Sequence, residues 1–575
     1  MINVSKTGWL KIDNEDSIYC TLHVPTKKTR KKAVIIVGPI GPEYMHCHRS
    51  VKCLAQKIAD NGFYSIRYDH LGMGDSSSDL NNGDLMCKWM NSINAIKCYA
   101  LENLSIDEVI VISLRSGALI LAKYMESNAL NFPIFWYPYI NGKRYIRDIN
   151  IIDKLLKIDI TDENKNINGG GYPITPSAKK TLEEINLLNL KHKKGIDSLI
   201  IEDSNVPSNT KFNHVMANNF NINNQLLPGL SEMTQQAGLS IVPQACLAEI
   251  CGWINNLNNN DEILIDKQGD ISLQDLDGYD YNETVLKFTI NDKSIFGILT
   301  EPKNRQYNNI ILLVNAGSAH HVGPNRLNVD LARQAASLNK ASFRFDLSNL
   351  GDSNYSSEES LKNPYPMTAT EDINVVINEL SLLYDKELTL IGLCSGAHNL
   401  FHAILNSTNN KIKQFIIINP LTFYWKQGQT ISAPEGNQSE IDENYYSNQL
   451  LDINKWISLI TNPSKMLNVI VFATQYIKNK IYNITYKILA LLNLKQPSQL
   501  ESDLISIINR SIDISFLYSD GDPGYKILNN QAPKLHTLYK NTNKFRIIKI
   551  KNADHTFSSI ESRDKLITSI LKSMS

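Results

Sequence analysis

Long apolar runs are missing from this 575-residue chain. No stretch reaches the roughly 18–20 residues that a membrane-spanning helix requires. The opening MINVSKTGWLKIDNEDS lacks the apolar core of a secretory signal, so no leader is read there. Net charge is missing too: 58 Lys and Arg balance 58 Asp and Glu. That removes any global electrostatic case for nucleic acid. There are no CxxC pairs and no His clusters with zinc-like spacing, so no metal site is expected. These absences point to a cytoplasmic protein with reduced thiols and no cofactor. Of the eight cysteines, Cys394 alone lies beyond residue 251, outside any disulfide framework of the first half.

What is present is ordinary for a globular protein, with 42% hydrophobic and 20% charged residues. The length allows two large domains or three to four small ones. An internal repeat favours two. SIRYDHLGMGDS (65–76) aligns without a gap with SFRFDLSNLGDS (342–353), at an offset of 277 residues. Ser113-Leu114-Arg115-Ser116-Gly117-Ala118 aligns with Gly392-Leu393-Cys394-Ser395-Gly396-Ala397 at an offset of 279. Two matches at nearly one offset mean that a whole domain is duplicated.

Both halves alternate short apolar strands with helical segments, the pattern of a mostly parallel sheet covered on both faces. In the first half the strands are expected at 33–38, 64–69, 108–113, 132–137 and 198–203. In the second they are expected at 285–290, 293–301, 310–317, 341–347, 388–393, 414–420, 513–522 and 545–550. Helices are expected near 325–339, 369–384, from 396, and near 558–573. The polar, aperiodic stretch 258–280 is the natural linker, which makes 1–257 and 281–575 the two domains.

Three motifs in the second half carry chemistry. The first is LTLIGLCSGAHNL (388–400), a strand, a tight Gly-x-Cys-x-Gly turn and a helix. Such a turn throws the central side chain out at the carboxyl end of the sheet, and the helix N-terminus favours a thiolate there. The second is SFLYSDGDPG, which offers Asp520 and Asp522 after a strand. The third is KNADHTFSS, with His555 between the last strand and the last helix.

These motifs resemble the α/β-hydrolase superfamily over about 285–575. The resemblance implies an α/β fold of two tandem hydrolase domains, each with a helical cap insertion. It implies Cys394 as nucleophile, His555 as base and a strand-end acid. Asp522 is preferred to Asp520 because it lies further out toward the cleft. The amide of Ser395 and the loop Ala316-Gly317-Ser318 would form the oxyanion hole. The adjacent His320 and His321 would face substrate or lie on the loop surface. A cysteine nucleophile is similar to that of dienelactone hydrolases and thioesterase-like members, and departs from the usual serine. It suits acyl transfer from an ester or thioester through an acyl-cysteine, either as a hydrolase or as an acyltransferase. A non-catalytic acyl-binding scaffold is the alternative.

The first half keeps the turn without the chemistry. Arg115 replaces the nucleophile and cannot act as one. Asp203 stands near the acid slot, and no histidine occurs in 226–254. This half resembles a pseudohydrolase related to exosortase-associated hydrolases, expected to pack as a structural duplicate. A cleft-facing Arg115 that grips a carboxylate or phosphate is the functional alternative.

A lid is expected at about 425–510. Its residues 456–500 contain five lysines, Lys478, Lys480 and Lys487 among them, and no acidic residue. A basic amphipathic lid suits an acidic acyl carrier protein or coenzyme A, and less readily a membrane surface.

Overall fold

The computed structural model describes residues 4–13, 15–26, 29–77, 84–158, 166–191, 195–257, 262–263, 273–290, 293–353, 365–425, 497–539 and 542–574. The chain divides into two compact units. One comprises Met1–Tyr307, Ser318–Lys362 and Ser558–Arg563; the other comprises Asn308–Gly317, Asn363–Phe557 and Asp564–Ser575.

The first unit holds an eight-stranded sheet. Its strand order is Val4–Lys11, Ser17–Val24, Tyr64–Tyr68, Lys32–Val37, Glu108–Leu114, Pro133–Trp136, Asp197–Asp203, Asn221–Leu227. The first two pairings are antiparallel and the rest are parallel. All five strands expected in this half are present. Their apolar runs are continuous because both faces are covered. Val34, Ile36, Ile110, Ile112 and Trp136 pack on one face with the helices Glu43–Asp60 and Gln244–Asn256. Ile35, Val37, Val111 and Phe135 pack on the other with Leu85–Asn103 and Gly117–Met125. Three strands escaped the sequence reading. Asn221–Leu227, NINNQLL, is a half-exposed edge strand whose polar residues hide its pairing. Val4–Lys11 and Ser17–Val24 form the N-terminal hairpin.

The first unit also holds the antiparallel strands Tyr281–Ile290, Lys293–Pro302 and Ala341–Phe345. The second unit holds parallel strands Asn309–Leu313, Glu387–Leu393, Ile412–Ile418, Asp513–Ser519 and Phe545–Ile550, paired in that order. Each of these pairings has its counterpart in the first sheet. Within the polar stretch 258–280, Glu262–Ile263 pair with Thr29–Arg30, and Leu276–Asp277 pair with Glu283 and Asn282.

In the first half, the cap position between Trp136 and Asp197 carries helices Gly142–Leu155 and Pro176–Glu184. In the second half, residues 426–496 of the expected lid, with Lys478, Lys480 and Lys487, lie outside the described residues. The helix Gln499–Asn509 follows them, capped by Ser498, whose Oγ accepts from the Glu501 amide at 3.1 Å. Among the described residues, no helix is long and apolar enough to cross a membrane.

The repeated loops 65–76 and 342–353 fold alike. Ser76 Oγ donates to the Asp69 carbonyl at 2.7 Å, and Ser353 Oγ donates to that of Asp346 at 2.6 Å. The Asp75 and Asp352 amides each donate to the carboxylate six residues earlier, both at 2.8 Å. Gly74 and Gly351 both have positive φ, and a Cβ at either would lie about 2 Å from that same carboxylate.

The two loops also exchange counter-ions. Arg67 of the first pairs with Asp352 of the second. Arg344 of the second pairs with Asp75 of the first, at 2.9 Å. Around this exchange His321 bridges Asp346 (Nδ1, 2.7 Å) and Asp75 (Nε2, 2.8 Å). Glu283 takes Arg344 and Arg333, each at 2.8 Å. Burial disfavours every one of these charges, yet the pairing prevails. Asp75, Asp346 and Asp352 stay below the usual carboxylate range because cations face them. Burial lowers the affinity of His321 for its proton, but Asp346 and Asp75 outweigh it and raise the pKa to about 10.

Removing one partner of a buried ion pair strands the other, which costs about 3–5 kcal/mol. Asp75→Asn is therefore expected to lower the unfolding free energy by that amount in denaturant titrations. The sign for His321 follows from its raised pKa. Its contribution is fully present below about pH 6.5, the ordinary histidine value, and is lost as pH rises through about 10. Stability should fall over that window more steeply in the parent protein than in His321→Asn; equal slopes would refute the assignment.

Candidate active site

The strand Glu387–Leu393 is buried from Leu388 onward and ends at Cys394, where the helix Ser395–Asn406 begins. Cys394 has φ 54° and ψ −119°. For a residue with a Cβ, such a conformation costs on the order of 1–3 kcal/mol, so the surroundings must impose it. The flanking glycines do so by close packing. A Cβ at Gly392 would lie 2.5 Å from the Ala397 amide nitrogen, and one at Gly396 would lie 2.6 Å from the Asn315 carbonyl oxygen. The Cys394 amide donates to the Ile418 carbonyl at 2.9 Å, which ties the turn to the next strand. The thiol is half-exposed.

His555 and Asp522 come together although 33 residues separate them. Asp522 Oδ2 lies 2.6 Å from His555 Nδ1. Its other oxygen accepts from the Gly524 amide at 2.9 Å and caps the helix Pro523–Gln531. One carboxylate thus ends the strand, starts the helix and orients the ring. Asp520 is exposed. Burial favours neutral His555, but the bond to Asp522 and the neighbouring Cys394 sulfur outweigh it and raise its pKa to about 10. Nε2 is buried and makes no hydrogen bond of good geometry. Cys394 is near enough to raise the ring's affinity for its proton.

Sequence reasoning missed Asn419. It is fully buried at the end of strand Ile412–Ile418, with φ 44°. Its Oδ1 accepts from the Ser519 amide at 2.9 Å, and its Nδ2 donates to the His555 carbonyl at 2.8 Å. It therefore fixes the acid-bearing strand and the base-bearing loop together. The signal was present in QFIIINP, where a polar residue follows an apolar run and precedes proline. Tyr365 was missed as well. Its ring lies 4.6 Å from those of His398 and Trp425, and burial together with Cys394 raises its phenol pKa. An aromatic wall therefore stands close to the thiol.

The oxyanion loop divides. Ala316 and Gly317 belong to the second unit and Ser318 to the first. The Gly317 amide donates to Ser395 Oγ at 2.8 Å, so it is already engaged. The Ser395 amide sits in the first turn of its helix, where amides lack intrahelical acceptors. The expectation of surface loop histidines does not hold, because His320 and His321 are 3% and 1% exposed in the first unit. His321 has both ring nitrogens engaged by carboxylates.

The Arg115 turn repeats the backbone of the Cys394 turn. Its φ is also 54°, and its amide donates to the Trp136 carbonyl at 3.1 Å. A Cβ at Gly117 would lie 2.5 Å from the Val37 oxygen. The guanidinium grips Glu43, with Nη2–Oε1 at 2.9 Å and Nε–Oε1 at 3.1 Å. It also donates to the Tyr137 carbonyl at 3.2 Å and lies 4.2 Å from the Tyr139 ring centre. The carboxylate that Arg115 holds thus belongs to its own chain. Asp203 ends its strand by accepting from the Asn205 amide at 3.2 Å, as a turn residue.

No family model matches this chain, nor does any curated protein. Among solved structures it is similar to Est1E from Butyrivibrio proteoclasticus, at 10% identity over 50% of this chain and 97% of that one, with a TM-score of 0.31. It is similar to an alpha-beta serine hydrolase homologue from Coxiella burnetii, at 11% identity over 51% and 97%, with a TM-score of 0.30. It is also similar to dienelactone hydrolase from Anabaena variabilis, at 8% identity over 51% and 97%, with a TM-score of 0.30. Likeness at this level carries no argument about reaction or substrate. The fold rests on the strand order and turns described above: mixed, mostly parallel sheets of the α/β-hydrolase kind.

Proposed function

We propose that the second half is a hydrolase or acyltransferase that works through an acyl-cysteine at Cys394. The observation that carries this reading is the 2.6 Å bond from Asp522 to a histidine whose far side is turned to a strained, half-exposed cysteine. Strain at a positive-φ cysteine and a buried imidazole nitrogen without a partner both cost stability, and a nucleophile–base pair gives them a use.

His555 Nε2 takes the thiol proton, and the sulfur forms a bond to the carbonyl carbon of an ester or thioester. The carbonyl electron pair moves to oxygen, where the Ser395 amide stabilises it. As the tetrahedral centre collapses, the bond to the leaving oxygen or sulfur breaks, and that atom takes the proton from His555. Water, or an alcohol or amine acceptor, then loses a proton to His555 and attacks the acyl-cysteine. The acid or transferred product leaves, and the thiol regains its proton. Asp522 holds the ring and stabilises its charged form throughout. The wall of Tyr365, His398 and Trp425 favours an acyl group with apolar or aromatic bulk. Carrier-protein or coenzyme A thioesters are donors that the lid lysines would suit.

Intact-mass spectrometry with a panel of acyl thioesters tests this. The parent protein should gain one acyl mass, and Cys394→Ala should gain none. Absence of both adduct and turnover across the panel would leave the acyl-binding scaffold. His555→Ala is expected to slow acylation by about 10²–10⁴-fold. Asp522→Asn should slow it with the fold retained, whereas exposed Asp520→Asn should leave both rate and stability within error; the reverse order would reassign the acid.

A further inference from the structure

A second polar site lies within the first unit. The helix Glu43–Asp60, the turn Asn349–Gly351 and residues 237–240 line a small recess that opens to solvent. Arg49, Lys52, His48, His320, Ser240 and Ser318 line it, and none of the described lining residues is acidic. The Asp352 carboxylate pairs with Arg67 and lies 3.9 Å from His48 Nε2. Lys52 is buried and held by the carbonyls of Gly351 (2.6 Å) and Ser353 (3.0 Å), so its charge is fixed at the recess floor.

The second observation is His320. It is 97% buried, and neither ring nitrogen has a hydrogen-bond partner in the protein. Its ring is locked by stacking on His48 at 4.2 Å and by edge contact with Tyr44 at 5.6 Å. An unsatisfied buried donor destabilises the folded state, and a phenyl ring would fill the same space without that penalty. A histidine kept there, beside two cationic side chains and two hydroxyls, puts an unmet donor in the wall of the recess. Positive charge without a lining carboxylate selects an anion, and clustered N–H and O–H donors select oxygen.

We propose that this recess binds a compact oxyanion, the phosphate or carboxylate group of a small molecule, with His320, Arg49 and Lys52 as its principal donors. The site does not depend on Cys394 chemistry, because its lining contains none of Cys394, His555 or Asp522.

The test uses the full chain, with inorganic phosphate and acetate titrated separately at constant ionic strength. Binding is read by calorimetry and by the rise in melting temperature that any ligand of the folded state produces. Phosphate binding alone would assign a phosphoryl group, and equal binding of acetate would assign a carboxylate. His320→Phe keeps the stacking and removes the nitrogens. It should fold, melt no lower than the parent without ligand, and bind at least about tenfold more weakly. Arg49→Gln should weaken binding similarly. No binding of either anion up to about 10 mM, a concentration that detects even millimolar affinity, would overturn the proposal. So would unchanged affinity in both variants.

Discussion

Buried charge is tolerable only where a counter-charge is fixed within hydrogen-bond reach, and the repeated loops meet this condition by trading partners. Arg67 answers Asp352, and Arg344 answers Asp75. Each loop presents one cation and one anion in nearly the same backbone frame, so the exchange has the reciprocity of a two-fold interface within a single chain. His321 sits where Tyr44 sits in the other copy, and this substitution breaks the symmetry. Tyr44 bonds Asp69 as a neutral phenol, whereas His321 brings a positive charge that binds two carboxylates.

The two strand–helix turns show how far backbone and chemistry separate. Cys394 and Arg115 share φ 54°, a glycine two residues on, and an amide bonded to the neighbouring strand. One side chain stands half-exposed beside an oriented imidazole. The other is folded back onto Glu43 and Tyr139. The turn is a packing solution first, because close approach of strand and helix demands it whatever the central residue. At Cys394 the neighbouring loops add an imidazole and a carboxylate.

The parts of the fold legible in the sequence were those written in local pattern. Apolar runs such as AVIIVG and QFIIINP gave the central strands, and glycine spacing gave both turns. Asp522 and His555 were legible as candidates because each follows a strand; Asp522 is buried and Asp520 exposed. Asn221–Leu227 was not legible, since edge strands need little apolar character. Asn419 and the burial of His320 and His321 were not legible either. Their roles depend on contacts 100 or more residues away, such as Asn419 to Ser519 and His321 to Asp75. The repeat SIRYDHLGMGDS was visible as a repeat, but nothing in one copy says that its arginine pairs with the aspartate of the other.

That reciprocity also bears on how such a chain can change over time. A duplicated domain is ordinarily free to diverge or be deleted. Here the first copy supplies Asp75 to Arg344 and takes Asp352 for Arg67, so its loss would expose unmatched charges inside the copy that remained. The central residue of the first half's turn is free to differ, and Arg115 differs there from Cys394. Its loop is not free in the same way, because Arg344 and Asp352 would lose buried partners without it.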